Sequence, residues 1–551
     1  MVLQRITQAL AVFIAKRPGS VSALICVLFF IFLFLTMNRE IDAFDESIIL
    51  VNAQRVLAGD VIHRDFYSNY GPGSPYLVAA VFWLFGPKLL AARLFGLVLM
   101  AVPAGLVTYL LVRRVPFGLA LGGSLACAMF IYVAAFHLYP VYPCLVLILA
   151  SAIIVLREDI LARPGLILTC GGLTGIVALF RYDTGFFTLV AFSIYLLAIG
   201  PGKTIPARIA AAIRPVLTLA VGAALAFAPF AIYFLATAQI ADFWADIVEH
   251  SAPYAANRGL PFPGPGAIMA DPAVGGVYIP LLVTLAALAE LWRSRASGAG
   301  QQAGQDFLIL FTLLTVILTY KGLVRVSLVH MLLAIVPAIT LAAFLAQRWA
   351  SRRGHWRSAA IVLSAVAVFA VAGSFNRLRA DVGAIERTAT GGLLFAGSEE
   401  NPPCVEGSPP FVGLTSADYS RAVAYLDAHV PDGERILVGL DRHDKVFANG
   451  LSIYFLADRL PGTKWAQFDP GVTNTAGIQR EIIDDLRKYD VQWIVRDASF
   501  ENVTEPNLSS VSSGVLLLDS YLARNFRKAF ASGKVEVWLR NDVPAPAPDG
   551  A

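Results

Sequence analysis

Long apolar segments separated by polar stretches dominate the chain up to about residue 375. Two of the clearest, residues 21–37 and 89–112, are long enough to cross a hydrocarbon core about 30 Å thick as single helices. Counting such segments predicts about eleven membrane-spanning helices within residues 1–375. The first segment follows Lys16 and Arg17, as in a signal peptide. Because no small-residue cleavage site comes after it, we interpret it as a retained span.

One polar stretch, the first loop at residues 38–88, is too long to be a simple connector between two spans. From Asp45 to Gly59 its apolar residues recur at helical spacing, which predicts an amphipathic helix. A Gly- and Pro-rich segment at 69–75 then leads into an apolar stretch at 76–85. About ten residues cannot span a bilayer, so we expect this stretch to form a helix lying at the membrane interface.

Beyond residue 375 the chain has the pattern of a separate α/β domain. Residues 376–415 contain Gly, Pro and Ser and are predicted to be a linker, and residues 416–551 are predicted to be the domain itself. Short β-branched and aromatic runs predict strands, and amphipathic runs predict helices, one of them with Ser416 as its N-cap. The predicted strands cover 436–440, 493–495 and 535–539, and the predicted helices cover 416–429 and 477–488.

The composition agrees with a membrane protein. Of 551 residues, 57% are hydrophobic and only 15% are charged, which is more apolar surface than soluble domains of ordinary size can bury. The net charge of +4 is small and gives no reason to expect a nucleic-acid partner. The five cysteines and the histidines lack metal-binding or disulfide spacing, so we predict neither a metal site nor a disulfide framework.

Basic residues fall in every second loop between the apolar segments. With about eleven spans, all of these loops share the side of the N-terminus, and the positive-inside rule makes that side cytoplasmic. We therefore predict an α-helical polytopic protein of the bacterial inner membrane, in contact with the lipid bilayer, whose C-terminal α/β domain is extracytoplasmic, in the periplasm. The basic residues that set this orientation include Lys16, Arg17, Arg113, Arg114, Arg157, Arg163, Lys203, Arg208, Arg214, Arg293, Arg295, Arg348, Arg352 and Arg353.

Asp45 and Glu46 are the first candidates for chemistry, because they open the amphipathic helix just outside the first span. Adjacent helical residues point about 100° apart, so the two carboxylates are expected to have separate roles. One could act as general base toward a substrate hydroxyl while the other fixes a neighbouring loop. The alternative is that both only cap the helix and complement its dipole.

Basic residues at the outer ends of later spans are the second set of candidates. Arg181 ends the fifth span, two residues before Asp183, and its guanidinium could bind an anionic group such as phosphate. Lys321, Arg325 and His330 share one outward turn, where the positive-inside rule disfavours basic residues. They indicate a phosphate site at the membrane surface. The alternatives are a snorkelling Arg181 that merely pairs with Asp183, and a site for lipid headgroups.

The first loop also carries an ordered series of short motifs. After the acidic pair come Leu-Ala-Gly-Asp at 57–60, Arg-Asp-Phe at 64–66 and Asn-Tyr-Gly-Pro-Gly at 69–73. This series resembles the first loop of GT-C glycosyltransferases, in the family 39-like branch that contains the dolichyl-phosphate-mannose protein mannosyltransferases and the lipid A aminoarabinose transferase. The resemblance is strong over residues 40–96 and thin over the rest of 20–375. Many relatives carry Lys-Pro-Pro where this chain has Tyr-Gly-Pro-Gly.

The resemblance implies a membrane glycosyltransferase in which Asp45 is the catalytic base and Glu46 supports it. Such enzymes move a sugar, with inversion, from a polyprenyl-phosphate donor to an extracytoplasmic acceptor, which can be a cell-envelope glycan, a lipid or a protein. No cofactor is implied, and since no DxD motif is present we predict no obligatory metal. Ser327 stands where bacterial relatives carry the acid of an Arg-x-Asp-x-x-His pattern. The candidate substrate- and phosphate-binding residues are Arg181, Asp183, Lys321, Arg325, His330, Tyr70 and Arg64.

Two other functions are open alternatives. A transporter or flippase of lipid-linked sugars would need polar or broken helices at mid-membrane, whereas the conspicuous polar groups here lie at the outer ends of the spans. A non-catalytic envelope protein would use the membrane part only to anchor the α/β domain. That domain has no phosphate loop, metal cluster or nucleophile motif of its own in the sequence.

Overall fold

A computed structural model of the chain shows a helical part followed by a small sheet domain. The described residues are 17–37, 40–134, 136–202, 204–296, 304–351, 360–361, 363–364, 366–375, 377–378 and 416–544. The predicted linker at 376–415 therefore lies almost entirely outside the described residues.

The helices of the described helical part start and stop where proline, glycine or charged residues interrupt the apolar segments. Pro18 and Pro164 each occupy the first turn of a helix, where proline costs no hydrogen bond. In chain order the helices are α1 (Pro18–Leu35), α2 (Asp45–Leu57), α3 (Gly73–Phe85), α4 (Leu89–Val112), α5 (Phe117–Ala134), α6 (Val141–Val155), α7 (Pro164–Phe180), α8 (Tyr182–Ile199), α9 (Ile205–Thr237), α10 (Ile240–Trp244), α11 (Ser251–Arg258), α12 (Pro265–Ala270), α13 (Ile279–Ala296), α14 (Gln305–Gly322), α15 (Leu328–Ala350) and α16 (Val366–Phe375).

Eight helices among the described residues are long and apolar enough to cross a membrane. They are α1, α4, α5, α8, α9, α13 with the turn before it, α14 and α15, and the shorter apolar helices are α3, α6, α7 and α16. The chain is thus a multi-pass membrane protein, as predicted, while the number of about eleven spans stays a prediction. The predicted amphipathic helix of the first loop is confirmed as α2, and the short apolar stretch after it is confirmed as helix α3.

Small residues set the close packing of α7 against α9. A side chain at Gly171 would place its Cβ 2.0 Å from the carbonyl oxygen of Leu219, and one at Gly175 would place it 2.3 Å from that of Ala223. Glycines four residues apart lie on one helix face, so two backbones can approach there without a side chain between them. This contact fixes the position of α7, whose last residue adjoins the candidate site.

Helix α15 occupies the centre of the bundle, with 89% of its most apolar window buried, whereas only 17% of the corresponding window of α9 is buried. The exposed apolar residues of α9 suit a peripheral helix that faces lipid. Because α15 is held on all sides, His330 in its first turn has a rigid support.

The C-terminal domain contains a four-stranded sheet with helices beside it. The strands are β1 (Ile436–Leu440), β2 (Trp493–Asp497), β3 (Phe526–Ser532) and β4 (Val535–Arg540), in the spatial order β1-β2-β4-β3. Strands β1 and β2 pair in parallel, and β4 pairs antiparallel with both β2 and β3. The helices are α17 (Ala417–His429), α18 (Ser452–Leu456), α19 (Ala476–Lys488) and α20 (Leu517–Asn525).

The sequence-based elements of this domain agree with the structure, with three omissions. The three predicted strands and two predicted helices are present, and the Ser416 side chain accepts a hydrogen bond from the Tyr419 amide as the expected N-cap. Strand β3 and helices α18 and α20 are not predicted by the sequence pattern. In β3 the charged residues Arg527 and Lys528 interrupt the apolar alternation, as is common in an edge strand that faces water.

The C-terminal domain packs directly on the first loop. Arg55 in α2 is fully buried and donates to the carbonyl oxygens of Asp65 at 2.5 Å and Thr463 at 2.9 Å. The amide of Tyr67 donates to the carbonyl oxygen of Lys464 at 3.1 Å. The first loop is thus held between the helical bundle and the sheet domain, and the candidate site lies at this junction.

Candidate active site

Two adjoining cavities lie at one end of the helical part, and the second is also bordered by the C-terminal domain. The first cavity has a volume of about 450 Å³ and is bordered by the first loop, the α7–α8 junction and the α14–α15 turn. The second cavity, of about 510 Å³, is bordered by the start of α2, the end of α5 and the C-terminal domain. Tyr70, Tyr254, Arg325 and His330 line both cavities. These four residues form a wall shared by the two cavities, so molecules bound in the two cavities would lie next to each other.

Arg181 and Lys321 bring positive charge to the first cavity. Arg181 is the single residue between α7 and α8, so the break between these helices directs its side chain. Its Nε and Nη2 donate to Asp183 at 3.3 Å, and Lys321 Nζ lies 3.5 Å from the same carboxylate. The buried Nη1 of Arg181 has no hydrogen-bond partner among the described residues. One carboxylate thus serves two cations, which leaves capacity to bind an anion.

Arg325 and His330 stand in the wall between the cavities. Arg325 forms a two-pronged ion pair with Glu505 of the C-terminal domain, at 2.9 and 2.7 Å, and that contact raises the pKa of Arg325 against the opposing effect of burial. His330 is hydrogen-bonded through both ring nitrogens, to Ser327 at 2.8 Å and to Tyr139 at 3.1 Å. Ser327 therefore orients the histidine.

Asp45 lies in the first turn of α2 with its half-buried side chain facing the second cavity. It is not the helix cap, because Asp42 accepts the amide hydrogens of Phe44 at 3.0 Å and Glu46 at 3.1 Å. Burial and the neighbouring Asp42 raise the pKa of Asp45 to about 7, although Arg258 acts in the opposite direction. A carboxyl group of this kind is matched to proton transfer near neutral pH.

Glu46 faces away from both cavities and is fully enclosed. Its two carboxylate oxygens each accept a hydrogen bond of 2.8 Å from Arg93 of α4. Burial alone raises the pKa of Glu46, but Arg93 outweighs it and holds the pKa below its ordinary value. Nearby His137 has its pKa lowered to about 4 by burial and by Arg93. Glu46 is therefore an ionised anchor that fixes α2 to α4.

Tyr70, one of the predicted substrate-binding residues, forms part of the shared wall. Its ring lies 5.6 Å from the guanidinium carbon of Arg181, and its hydroxyl donates to Tyr139 at 3.3 Å. The next residue, Gly71, donates its amide hydrogen to the carbonyl oxygen of Phe180 at 3.2 Å. The first loop and the end of α7 thus hold Tyr70 and Arg181 together.

Arg64 is not brought together with the other predicted site residues. It pairs with Asp65 at 2.6 Å and donates to the carbonyl oxygen of Thr237 at 2.7 Å. It lines a small, charged surface pocket beside Lys464 of the C-terminal domain, away from both cavities. Its sequence position in the first loop gave no information about this separation.

Several site residues had no distinguishing signal in the sequence. Arg258 ends α11, in a Pro- and Gly-rich outward segment, and is 6% exposed on the wall of the second cavity. Glu505 belongs to the C-terminal domain and reaches the wall only through tertiary packing. Asp469 of the same domain is buried near Asp45, and burial raises its pKa to about 6.

His63 connects the first loop to the C-terminal domain through buried polar groups. Its Nδ1 lies 3.0 Å from Asp246, which in turn lies 3.2 Å from Lys464, and its Nε2 lies 3.2 Å from the Tyr182 hydroxyl. The backbone of His63 has φ +69°, a conformation that residues other than glycine rarely adopt. The packing of three segments around this residue holds it there.

Across the residues that the structure describes, no group of three or more His, Cys, Asp or Glu side chains could hold a metal ion. The carboxylates of the two cavities are instead engaged with arginine, lysine or backbone amides, or face open space. Side chains in these positions can take part in proton transfer and anion binding.

Comparison with known proteins identifies the fold but not a close relative. No protein-family model and no curated protein matches the chain. Among solved structures, ArnT from Cupriavidus metallidurans in the apo state aligns with 94% of this chain and 97% of its own at 13% identity, with a TM-score of 0.53. The Archaeoglobus fulgidus oligosaccharyltransferase aligns with 88% of this chain and 68% of its own at 11% identity, with a TM-score of 0.46. The helical membrane part and C-terminal sheet domain thus have the GT-C fold of ArnT, which confirms the predicted fold class.

Proposed function

We propose that this protein is a membrane glycosyltransferase that moves a sugar from a polyprenyl-phosphate donor to an extracytoplasmic acceptor with inversion. The observation that carries the proposal is the pair of cavities meeting at Tyr70, Tyr254, Arg325 and His330. One cavity holds cations suited to a phosphate, and the other holds a carboxylate suited to a base. The ArnT-like fold supports the same class of reaction by analogy.

Asp45 is the proposed base. It removes the proton of an acceptor hydroxyl in the second cavity, and the resulting oxygen attacks the anomeric carbon of the donor sugar from the face opposite the phosphate. The bond between the anomeric carbon and the phosphate oxygen breaks, and its electron pair leaves with the polyprenyl phosphate. The products are the glycosylated acceptor and a polyprenyl phosphate that carries one more negative charge than the donor did.

The cations of the first cavity stabilise that developing charge. Arg181 and Lys321 share Asp183, and Nη1 of Arg181, which has no hydrogen-bond partner in the described part of the chain, can donate to a phosphate oxygen. Because phosphate is already a good leaving group, fixed positive charge can replace a general acid. Fixed donors need no reorganisation as the charge moves, so a rigid position for Arg181 favours the transition state.

The proposed setting is the inner membrane of a bacterium, with the N-terminus cytoplasmic and the C-terminal domain periplasmic. The basic loops described above support this orientation through the positive-inside rule. A polyprenyl donor would keep its chain in the bilayer and present its sugar phosphate at the outer surface. The acceptor would come from the cell envelope as a glycan, lipid or protein.

The Asp45→Asn variant tests the assignment of the base. We expect transfer from a polyprenyl-phosphate sugar in reconstituted vesicles to fall by about 10²-fold or more, since general base catalysis contributes about 10²–10⁴-fold. The amide is isosteric with the carboxylate, so insertion and thermal unfolding are expected to stay near wild type. Asp159→Asn is a matched control, because Asp159 is a half-exposed carboxylate just before the other end of α7 and lines neither cavity.

Retained transfer in Asp45→Asn would reject Asp45 as the base. Movement of the lipid-linked sugar across the vesicle membrane without any glycosyl transfer would favour the transporter or flippase alternative instead. Loss of folding in Asp45→Asn but not in Asp159→Asn would assign Asp45 a structural role.

A further inference from the structure

The two cavities differ in the sign of their charge. The first is lined by three cationic side chains, Arg181, Lys321 and Arg325, against the two carboxylates Asp183 and Asp246. The second is lined by the four carboxylates Asp42, Asp45, Asp271 and Glu505, against the two arginines Arg258 and Arg325. A phosphodiester therefore suits the first cavity. A second anionic group in the acidic cavity would be repelled and would lose its hydration.

Aromatic rings from both parts of the chain form walls of the second cavity. Phe44 and Phe136 come from the helical part, and Phe447 and Phe500 come from the C-terminal domain. All four rings are half-buried, so part of each remains accessible from the cavity. The face of an aromatic ring carries partial negative charge. The C–H groups on one side of a pyranose ring carry partial positive charge, so the two surfaces attract when they stack.

Polar groups of both kinds face this cavity. The Nε of Arg258 is buried, at a side chain only 6% exposed, and has no hydrogen-bond partner in the described part of the chain. It can only donate a hydrogen bond, whereas an ionised Asp45 can only accept one. A hydroxyl group does both, so a molecule with several hydroxyls could satisfy donor and acceptor walls at once. A phosphate would satisfy Arg258 but not the carboxylates.

The presence of a base in this cavity points to the same kind of acceptor. A sugar or alcohol hydroxyl must lose a proton before or during attack, and Asp45 has its pKa raised to about 7 by burial and Asp42. A phosphate monoester has its second pKa near about 6 and is largely ionised at neutral pH without assistance. A carboxyl group adjusted for proton transfer is useful only to the first of these nucleophiles.

We propose that the second cavity binds an uncharged, hydroxyl-rich acceptor group of the carbohydrate class, and that Phe447 and Phe500 of the C-terminal domain determine its selection. That the bound group is an acceptor rests on the proposed function, whereas the binding site itself is inferred from the residues that line the cavity. The C-terminal domain thus contributes residues to the substrate site, in addition to covering the membrane part.

Trehalose and trehalose 6-phosphate are matched probes for this proposal, since they differ only in one phosphate. Binding of each to the full-length protein is measured by calorimetry in a detergent without a sugar headgroup. We expect trehalose to bind saturably, and Phe500→Ala to weaken that binding about tenfold through the lost ring contact. Phe500→Leu keeps the apolar volume and should weaken binding similarly if the ring face matters. Phe186→Ala removes a ring that is 62% exposed on α8 and should change nothing.

Two results would overturn the proposal. One is that no trehalose binding sensitive to Phe500→Ala is found. The other is that trehalose 6-phosphate binds more tightly than trehalose and loses that binding in Phe500→Ala, which would place an anion in the acidic cavity. Binding of the phosphorylated probe that Phe500→Ala leaves unchanged belongs to the first cavity and agrees with the proposal. The binding measurement contains no donor and is therefore independent of transfer. If trehalose binding is weakened by Phe500→Ala while Asp45→Asn retains full transfer, the proposed base is rejected and the acceptor site is not.

Discussion

At the scale of single residues, Asp45 and Glu46 show how environment separates two adjacent carboxylates. Arg93 neutralises Glu46 with two hydrogen bonds of 2.8 Å, so this residue stays ionised and buried. Asp45 has no such partner among the described residues and instead faces the second cavity, with two more acids, Asp42 and Asp469, in its surroundings. The same property that raises the pKa of Asp45 suits it to accept a proton.

The rate of transfer should therefore depend on pH through Asp45. The base must be deprotonated, so activity rises with pH and is half-maximal at about pH 7, where the raised pKa of Asp45 lies. Arg258 lowers that pKa, so Arg258→Gln should move the acidic limb of the profile to higher pH, by about one unit. Arg258→Lys keeps the charge and should restore most of the original profile. The measurement is kcat/KM against pH in reconstituted vesicles, because kcat/KM reports the pKa values of the protein without bound substrate.

An acidic limb near pH 4 would show that the pKa of the base is not raised. A limb that stays in place in Arg258→Gln, while the protein remains folded, would show that the charge of Arg258 does not act on it. The second result separates an electrostatic role of Arg258 from a role in packing alone, because a packing role would change the rate without moving the pH profile.

At the scale of elements, the contact between the first loop and the end of α7 sets the geometry of the first cavity. A Cβ at Gly71 would lie 2.1 Å from the carbonyl oxygen of Leu179, which is backbone and cannot rotate away. The glycine in the first-loop motif thus has a physical reason, namely that it lets the loop backbone touch α7. Tyr70 on one side of this contact and Arg181 on the other are positioned by it.

Gly71→Ala should therefore separate Tyr70 from Arg181 without removing either side chain. We expect transfer to fall by about 10²-fold, because a displacement of about 1 Å at a reacting group costs that much. Overpacking should also lower the free energy of unfolding by about 1–3 kcal/mol. Gly118→Ala in α5 is the control, since a Cβ there would have no atom of the described residues within 4 Å. Wild-type turnover in Gly71→Ala would contradict the proposed positioning role of this contact.

At the scale of the whole molecule, the sequence was sufficient for features that depend on local pattern. The apolar segments, helix α2 and the placement of Arg181 and Lys321 at helix ends all follow from periodicity and charge. The pairing of Arg325 with Glu505 does not, because 180 residues separate the two and only the packing of the sheet domain on the bundle joins them. Arg258 could not be predicted either, because a lone arginine in a Pro-rich segment belongs to no recognisable pattern.

The Arg325–Glu505 ion pair leads to a prediction for the molecule as a whole. Glu505 holds both terminal nitrogens of an arginine that faces the first cavity, so it competes with a donor phosphate for the same positive charge. Glu505→Gln removes the competing charge while keeping the shape of the side chain. We expect the KM for the polyprenyl-phosphate sugar to fall by about tenfold, with little change in kcat. A tenfold change corresponds to about 1.4 kcal/mol, the size of one charge-assisted hydrogen bond gained by the phosphate.

Glu501→Gln is the matched control, because Glu501 lies in the same segment of the C-terminal domain but outside both cavities. If Glu505 instead serves to hold Arg325 in position, its loss would lower kcat and leave KM unchanged or higher. The split between KM and kcat thus distinguishes competition for the phosphate from support of the arginine. Salt screens the ion pair between Glu505 and Arg325 and so weakens it. The KM values of wild type and Glu505→Gln, compared at the same salt concentration, should therefore become more similar as ionic strength rises.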